Sequence, residues 1–557
     1  MIGVAVDAAD LAVAQEFFEL FKTPWEVAVP GRHYSVVLST TGRYEGFHSP
    51  VVLAYGSAQQ PLDDERQVSI EHRRSGDLAC GDRLIPIYGN LATFVGETRG
   101  MTVDGKSIQY EARLRTRVVR RIGYDLFREV CHLLKVGQPA SRALIPTLDL
   151  HVEVLRNLLV DSGVPFLEVP PRPAGYDFTC CLTHDIDFYG IRRHGLDRTL
   201  AGFLLRASIG SVTDVVRSRR TPGDALRNFG AVCSLPFVFM GLMPDFWRPF
   251  DDYAAVEDPR HSTFFLVPFR GRPGLSPTGA ADPTRAVQYQ ASEIAEDITA
   301  AMARGSEIGL HGIDAWRADD EGRTEMREIG SLTGREKTGI RMHWLYFSER
   351  SPRLLEDAGF DYDSTCGYNE AVGYRAGTSQ VFAFPGTTRL LELPLTIMDT
   401  ALFAWDRWAM TRADAWQHCD VVLDHAARAG GTVVVNWHCR SLAPERLWGA
   451  FYQELLRRLA DRSRTWFATA GQAVEWFRWR RSISFRQVSL DGASRVRVTA
   501  ARPAPVGGAI RVSVPIHGRA RVEERPFDGS ADVNVDLPVG PVVASAPGAD
   551  LPYSTKR

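Results

Sequence analysis

Residues 179–187 read Thr179-Cys180-Cys181-Leu182-Thr183-His184-Asp185-Ile186-Asp187. An apolar β-run of this kind delivers Asp185 and Asp187 to its C-terminal end. Both fall on one face, because strand side chains alternate with a period of two. Two carboxylates on one sheet edge can bind a hard or borderline cation while one stays free as a base. Without a cation they would repel each other, and one pKa would rise. The competing reading is a strand-end loop whose aspartates cap a following helix, a position at which Asp is common.

The chain downstream bears on that choice. His261 to Val267 is a buried-strand pattern, and residues 287–304 read as an amphipathic helix. Glu307 to Gly312 is a strand ending in His311, and Gly339 to Trp344 is another with His343 near its end. Helical Pro352 to Ala358 leads into Phe360 to Ser364. Leu390 to Met398 is a further strand, stopping at Asp399, and a helix from about Ala413 to Ala429 feeds Thr432 to His438. Strand and helix alternate, and polar residues collect where strands end. Such alternation predicts a parallel sheet or a (β/α) barrel with its site at the strand C-termini.

These segments, over about residues 177–480, resemble the polysaccharide deacetylase family (NodB-homology, or carbohydrate esterase 4-like) in motif order, in a divergent Asp-x-Asp form. The resemblance implies an α/β fold, a distorted (β/α) barrel of the deacetylase type. By that resemblance Asp185 is the general base and Asp187 a metal ligand, and His311 is the first metal histidine. Arg341, His343 and Trp344 occupy the place of a motif that lines the substrate groove. Asp399 orients His438, which protonates the leaving amine. The implied cofactor is a divalent ion that polarises an acetyl carbonyl and acidifies water. Zn is the expected ion, and an Asp/His site also suits Co or Mn.

The chain departs from the family pattern at one point. The second motif carries another histidine four residues after the first, and here that position is Ala315. Asp314 is the candidate third ligand. His343 or His184 could take that place instead, or the site could bind metal weakly or not at all. His184, between the two acids, should point to the opposite strand face and pack there. Arg375 lies in a glycine-punctuated loop, where a guanidinium could steer an anionic group on the substrate or pair with Asp361 or Asp363. Trp316, Trp344 and Trp437 neighbour proposed site residues and could offer flat surfaces to a sugar, with core packing the alternative for each.

At 557 residues the chain exceeds a single-core domain. The expected division is an N-terminal α/β module of unknown role over 1–170, the barrel over 171–480, a small β-sandwich over 481–545 and a flexible tail over 546–557. In the first module Asp63 to Arg74 reads as a solvated loop. The sandwich expectation comes from runs after Arg481 that alternate polar and apolar residues between Gly and Pro turns. A net charge of −2 gives no global reason to expect nucleic acid as a partner. There is no clean run of about 20 apolar residues, so no spanning helix is expected. No basic segment precedes an apolar core at the start, and the eight cysteines show no metal spacing or disulfide framework. Those features predict a cytoplasmic protein.

Residues 188–259 form a helical insertion in which seven arginines, Arg192 to Arg220, are interleaved with apolar stretches. Such a segment could be a lid over the barrel mouth or a peripheral contact with an anionic membrane. The function expected from these features is a metal-dependent hydrolase removing an N-acetyl group from a sugar in glycan or surface-polysaccharide assembly. The alternatives are a silent carbohydrate-binding protein on the same barrel, or a hydrolase of another non-peptide C–N bond.

Overall fold

A computed structural model of the chain describes residues 1–538, apart from 97–99, 115, 218–219, 405–406, 463 and 491–492. The tail 546–557 and the last residues of 481–545 lie outside the described residues.

The central sheet contains β1 (Phe178–Ile186), β2 (Thr263–Leu266), β3 (Glu307–Gly312), β4 (Ile340–Met342), β5 (Tyr362–Asp363), β6 (Leu391–Glu392), β7 (Ile397–Met398), β8 (Thr432–Asn436) and β9 (Thr465–Phe467). Its order is β6-β5-β4-β3-β2-β1-β8-β7, with β9 also paired to β1, and every pairing is parallel. The strands are buried along their length, which is why they read as near-continuous apolar runs.

The connectivity requires this sheet to curl. β6 and β7 stand at opposite ends of the order, yet only residues 393–396 separate them. Laid flat, eight strands would put those edges about 34 Å apart at ~4.8 Å per strand. The chain from Glu392 to Ile397 reaches at most about 18 Å. The result is a mixed α/β fold around a curled parallel half-barrel, consistent with the deacetylase-type barrel expected from sequence. Helices pack outside it, among them Ala295–Ala303, Asp319–Thr333, Ser351–Ala358, Arg412–Ala429 and Ala470–Ser482.

The N-terminal segment holds a six-stranded sheet in which Ile2–Ala5, Val36–Ser39 and Val51–Tyr55 lie side by side in parallel. Its apolar core continues into Cys366, Ala376, Phe382 and Phe384, loop residues of the barrel. Buried Asp149 links the two parts by accepting from Thr378 (2.6 Å) and pairing with His425 (2.9 Å). The Asp63–Arg74 stretch is largely exposed, as expected, though it is a helix end and a strand rather than a loop, and its first residue is not solvated. Asp63 is fully buried, pairs with buried Arg121 at 3.2 Å and accepts from Tyr110 at 2.6 Å. A carboxylate can be buried this way only because a guanidinium and a hydroxyl meet it.

The C-terminal strands form two three-stranded antiparallel sheets. Ser484–Leu490, Ala493–Thr499 and Val533–Leu537 make one, while Gly508–Ile516 and Arg519–Phe527 complete the other with Phe166–Glu168. This region therefore borrows a strand from the chain preceding the barrel. It also packs on Trp476 and Trp479 of the last barrel helix, in one core with the barrel.

In the insertion the described helices are Arg198–Leu205, continued by a π-helical turn Arg206–Gly210 and Ser211–Val216, then Pro222–Phe239 and Pro249–Glu257. Leu200, Phe203, Ala207, Leu235 and Trp247 pack with Ala443, beside the segment that follows β8. The 198–216 helix is long and apolar enough to cross a membrane, with a mean hydropathy of 1.3. That corrects the expectation of no such helix: arginine at each flank and in the middle interrupts the apolar run, yet the segment stays apolar on average.

Candidate metal centre and acid–base pair

Strand register brings the candidate residues together. The row Ile186–Leu266–Leu310 is the last paired row across β1, β2 and β3, and Asp187 and His311 stand one step beyond it. His311 is in turn paired with Arg341 on β4. With a period of two, Asp185, Asp187, His311, Arg341, His343, Asn436 and His438 all come to the inner side of the curled sheet at its C-terminal edge.

Asp187, His311 and His343 form one group, their ligating atoms all within 4.8 Å of one another. Oδ1 of Asp187 lies 3.4 Å from Nε2 of His311 and 3.2 Å from Nε2 of His343. This oxygen is buried and has no hydrogen-bond partner. Nδ1 of His311 is 2.9 Å from the carbonyl oxygen of Arg341. A carbonyl only accepts, so Nδ1 carries a proton and Nε2 is the ring atom turned toward Asp187, the one that would bind a cation. Converging lone pairs on one carboxylate and two imidazoles fit a divalent ion.

Protonation agrees with that fit. Burial, working against the pull of Asp187, brings His343 down to about 4, so it is neutral at ordinary pH. Burial alone would raise Asp187, and positive charge shared with the His343 and His311 imidazoles brings it well below the usual carboxylate range; with those rings neutral, a bound cation would supply that pull. The turn after His343 is strained: Trp344 and Leu345 both have positive φ, 64° and 53°, a backbone state that non-glycine residues rarely adopt. Buried Arg285 clamps the surrounding loops by donating to the carbonyls of Ile313 and His343, each at 2.9 Å.

Asp185 sits beside this group without joining it. Its Oδ1 accepts from Arg341 at 3.0 Å and its Oδ2 from Asn436 at 2.7 Å. Burial acts to raise its pKa, and His311, Arg341 and His438 more than offset this, leaving it lowered. On the adjacent strand end Nδ1 of His438 lies 2.6 Å from Oδ1 of fully buried Asp399. Asp399 also accepts from the His438 backbone N–H at 2.7 Å and from the Ser441 hydroxyl. Burial would lower His438, but the Asp399 carboxylate outweighs it and pushes the imidazole up to about 9.

Four expected site residues do not take the roles expected of them. Asp314 does not join the metal group: its carboxylate accepts from the backbone N–H of Leu275 at 2.9 Å and faces Arg272 and Arg317, and His343 takes its place. Arg341 is fully buried and holds Thr183, Asp185 and Ser364, so it supports the base and lines no groove. Trp437 is fully buried against Phe451 and Tyr452. Arg375 donates to the carbonyl of Gly367 and borders Gly137, Cys366 and Phe384, against the N-terminal segment. Trp344 remains 39% exposed beside His343, open to a ligand. Trp316 is buried. His184 packs on the far face as expected, stacked on Tyr253 and 3.0 Å from Glu257.

Asn436, Arg285 and Ser441 were not expected at the site. Asn436 was legible, since it stands two residues before His438 and so shares its face. Arg285 and Ser441 belong to loops, where no periodicity marks them.

No protein-family model matches the chain, and no curated protein matches it. Among solved structures it is similar to a putative polysaccharide deacetylase from Mycobacterium smegmatis, with 20% identity, 56% of this chain and 95% of that one covered, and a TM-score of 0.34. It is similar to a probable polysaccharide deacetylase from Pseudomonas aeruginosa PAO1, with 16% identity, 56% and 94% covered, and a TM-score of 0.34. It is also similar to Puue allantoinase, with 16% identity, 55% and 91% covered, and a TM-score of 0.31.

Proposed function

We propose that this chain is a metal-dependent hydrolase that removes the N-acetyl group of a sugar in glycan or surface-polysaccharide assembly. The observation that carries the reading is the Asp187, His311 and His343 group flanked by a separate carboxylate, Asp185, and by the Asp399/His438 pair. A divalent ion bound by Asp187, His311 and His343, Zn being the expected one, would supply the positive charge that polarises an acyl carbonyl and acidifies water.

The chain's own residues supply the proton transfers. Asp185 is ionised at neutral pH and takes a proton from the attacking water. Its lowered pKa makes it a weak base, so activation of the water depends on the cation more than on Asp185. As the C–N bond breaks, protonated His438 gives its proton to the departing amine. Asp399 fixes the His438 tautomer through Nδ1, leaving Nε2 to face the substrate. Water and amide become acetate and amine, with one proton taken up and one delivered. Trp344 offers an exposed flat face to the sugar.

This reading is tested by acetate release from N-acetylated sugars by Zn-loaded protein. Release that disappears in Asp185→Asn and His438→Ala supports it. Release that persists in both variants, or no release from any N-acetylated sugar by a metal-loaded chain, contradicts it.

A further inference from the structure

We propose that the helical insertion seats the protein on a lipid bilayer, and that Arg206, Arg220, Arg440 and Arg446 hold the phosphate of a lipid-linked substrate beside the reaction centre. This deepens the function proposed above and rests on it for the sugar and its acyl group. The lipid contact itself stands on separate observations.

The first is an exposed apolar surface. One face of the 198–216 helix is buried through Leu200, Phe203 and Ala207. Its other face leaves Leu205 57% and Ile209 63% exposed, and just past the second helix Leu242 is 70% exposed. Leu205 and Ile209, four residues apart on one helix, share a face, and large apolar side chains this exposed in several places on one segment mark a surface suited to an apolar partner. Because one face is held by the protein, the helix suits lying in the interface better than crossing it.

The second is charge. The insertion as a whole (188–259) has nine arginines and eight acids, but its positive charge gathers on residues 198–243, which carry six arginines and two aspartates. A second copy of the same face would meet like charge, whereas an anionic lipid surface is complementary to it.

The third is a set of unsatisfied guanidinium groups at the root of these helices. Arg220 pairs with Asp214 at 3.1 Å and donates to the carbonyls of Glu445 (3.3 Å) and Arg446 (3.2 Å). Nη1 of Arg220 and Nε of Arg206 and Arg446 are nevertheless buried without a hydrogen-bond partner. Fully buried Glu445 stands among them, and neither of its carboxylate oxygens makes a hydrogen bond. Arg440 lies over Trp247 (5.2 Å to the ring centre), which packs in one cluster with Ala207, next to Arg206, and with Ala443; burial, with the charges of Arg446 and Arg206 against the pull of Glu445, brings it down to about 10. Four guanidinia against Asp214 and Glu445 leave an excess of two positive charges, against which a phosphodiester joining lipid to sugar would set one negative charge. Its oxygens accept several charge-assisted bonds at once, and unpaired buried donors are costly without them.

The fourth is position. Arg440 follows His438 by two residues, and its guanidinium lies 3.7 Å from the ring centre of Phe188, the residue after Asp187. A phosphate held there would place an attached sugar at the metal group. The π-helical turn Arg206–Gly210 begins at Arg206, and such turns recur at functional sites.

The test is co-sedimentation of the full chain with phosphatidylcholine vesicles, either plain or doped with phosphatidylserine or with a long-chain isoprenyl phosphate. Wild type should favour the isoprenyl phosphate vesicles by at least about tenfold over the phosphatidylserine ones, the scale of one lost charge-assisted contact. Arg440→Gln/Arg446→Gln should lose that preference, and Leu205→Ser/Ile209→Ser/Leu242→Ser should lose vesicle binding, with unchanged circular dichroism in both. Three results would overturn the proposal: no vesicle binding, a preference unchanged in the arginine variant, or binding abolished by inorganic diphosphate, which would mark a soluble phosphate ligand. Wild type that hydrolyses a soluble N-acetylated sugar but ignores vesicles sinks the lipid proposal alone. Wild type that binds the vesicles but hydrolyses nothing sinks the hydrolase reading alone.

Discussion

Nε2 of His311 faces Oδ1 of Asp187 at 3.4 Å, while Nδ1 of the same ring is committed to the Arg341 carbonyl at 2.9 Å. An imidazole lone pair and a carboxylate oxygen repel unless a proton or a cation stands between them. Nε2 of His343, 3.2 Å from the same oxygen, adds a third ligand atom. The geometry therefore assigns His343, and not Asp314, to the third corner of the group.

That assignment separates two variants. His343→Ala should weaken Zn binding by more than the about 10–100-fold typical of losing a partner behind the ligands. Asp314→Ala should leave the affinity nearly unchanged, since the ion pairs it removes are only the one with Arg317 and the longer of two made by Arg272, which keeps Glu321 at 2.7 Å. Titration calorimetry with Zn reads both. Equal losses would return Asp314 to the site.

Activity should depend on protonated His438. With its pKa near 9, the rate should hold through neutral pH and fall about tenfold per unit above pH 9. Asp399→Asn removes the charge that raises it, so the alkaline limb should move toward the ordinary histidine value of about 6.5. The sign for stability is the same: a raised histidine stabilises below about pH 6.5 and loses that contribution as pH rises through 9. A pH–rate profile identical in wild type and Asp399→Asn would remove His438 from the acid role.

Arg341 is a support residue, fully buried, so the expected effect falls on both stability and rate. Arg341→Met leaves Asp185 buried without its cation and should cost about 3–5 kcal/mol. Arg341→Lys cannot reach Thr183, Asp185 and Ser364 together, so it should recover part of the stability and little of the rate. Urea denaturation beside steady-state kinetics measures the split.

The two tryptophans should separate in the same way. Trp437→Ala opens a cavity in the core and should destabilise by about 3–5 kcal/mol. Trp344→Ala, at an exposed position, should cost little stability and raise KM for the sugar. A KM unchanged in Trp344→Ala would remove it from the substrate surface.

The barrel was legible because its strands are short apolar runs whose last residues are polar, and a period of two then sorts Asp185, Asp187 and His438 onto one face. What sequence did not reveal lies where chain direction reverses. Asp314 follows His311 by three residues, but the turn after β3 is held by Glu325, which accepts from the backbone N–H groups of Ile313 and Asp314, and it carries Asp314 away. Arg341 sits in a substrate-motif position, yet its strand direction points it inward, where it meets Thr183, Asp185 and Ser364. Trp437 alternates with Asn436 and His438 and so faces the opposite side, which the same period could have indicated. The C-terminal strands read correctly as antiparallel, but their pairing with Phe166–Glu168 joins segments over 300 residues apart, beyond any local pattern.

The most direct test is elemental analysis of purified protein after incubation with Zn, for wild type beside Asp187→Ala, His311→Ala and His343→Ala. About one ion per chain in wild type, lost in all three variants, is the result this account predicts. Wild type that retains no ion after exposure to Zn, Co or Mn would contradict it.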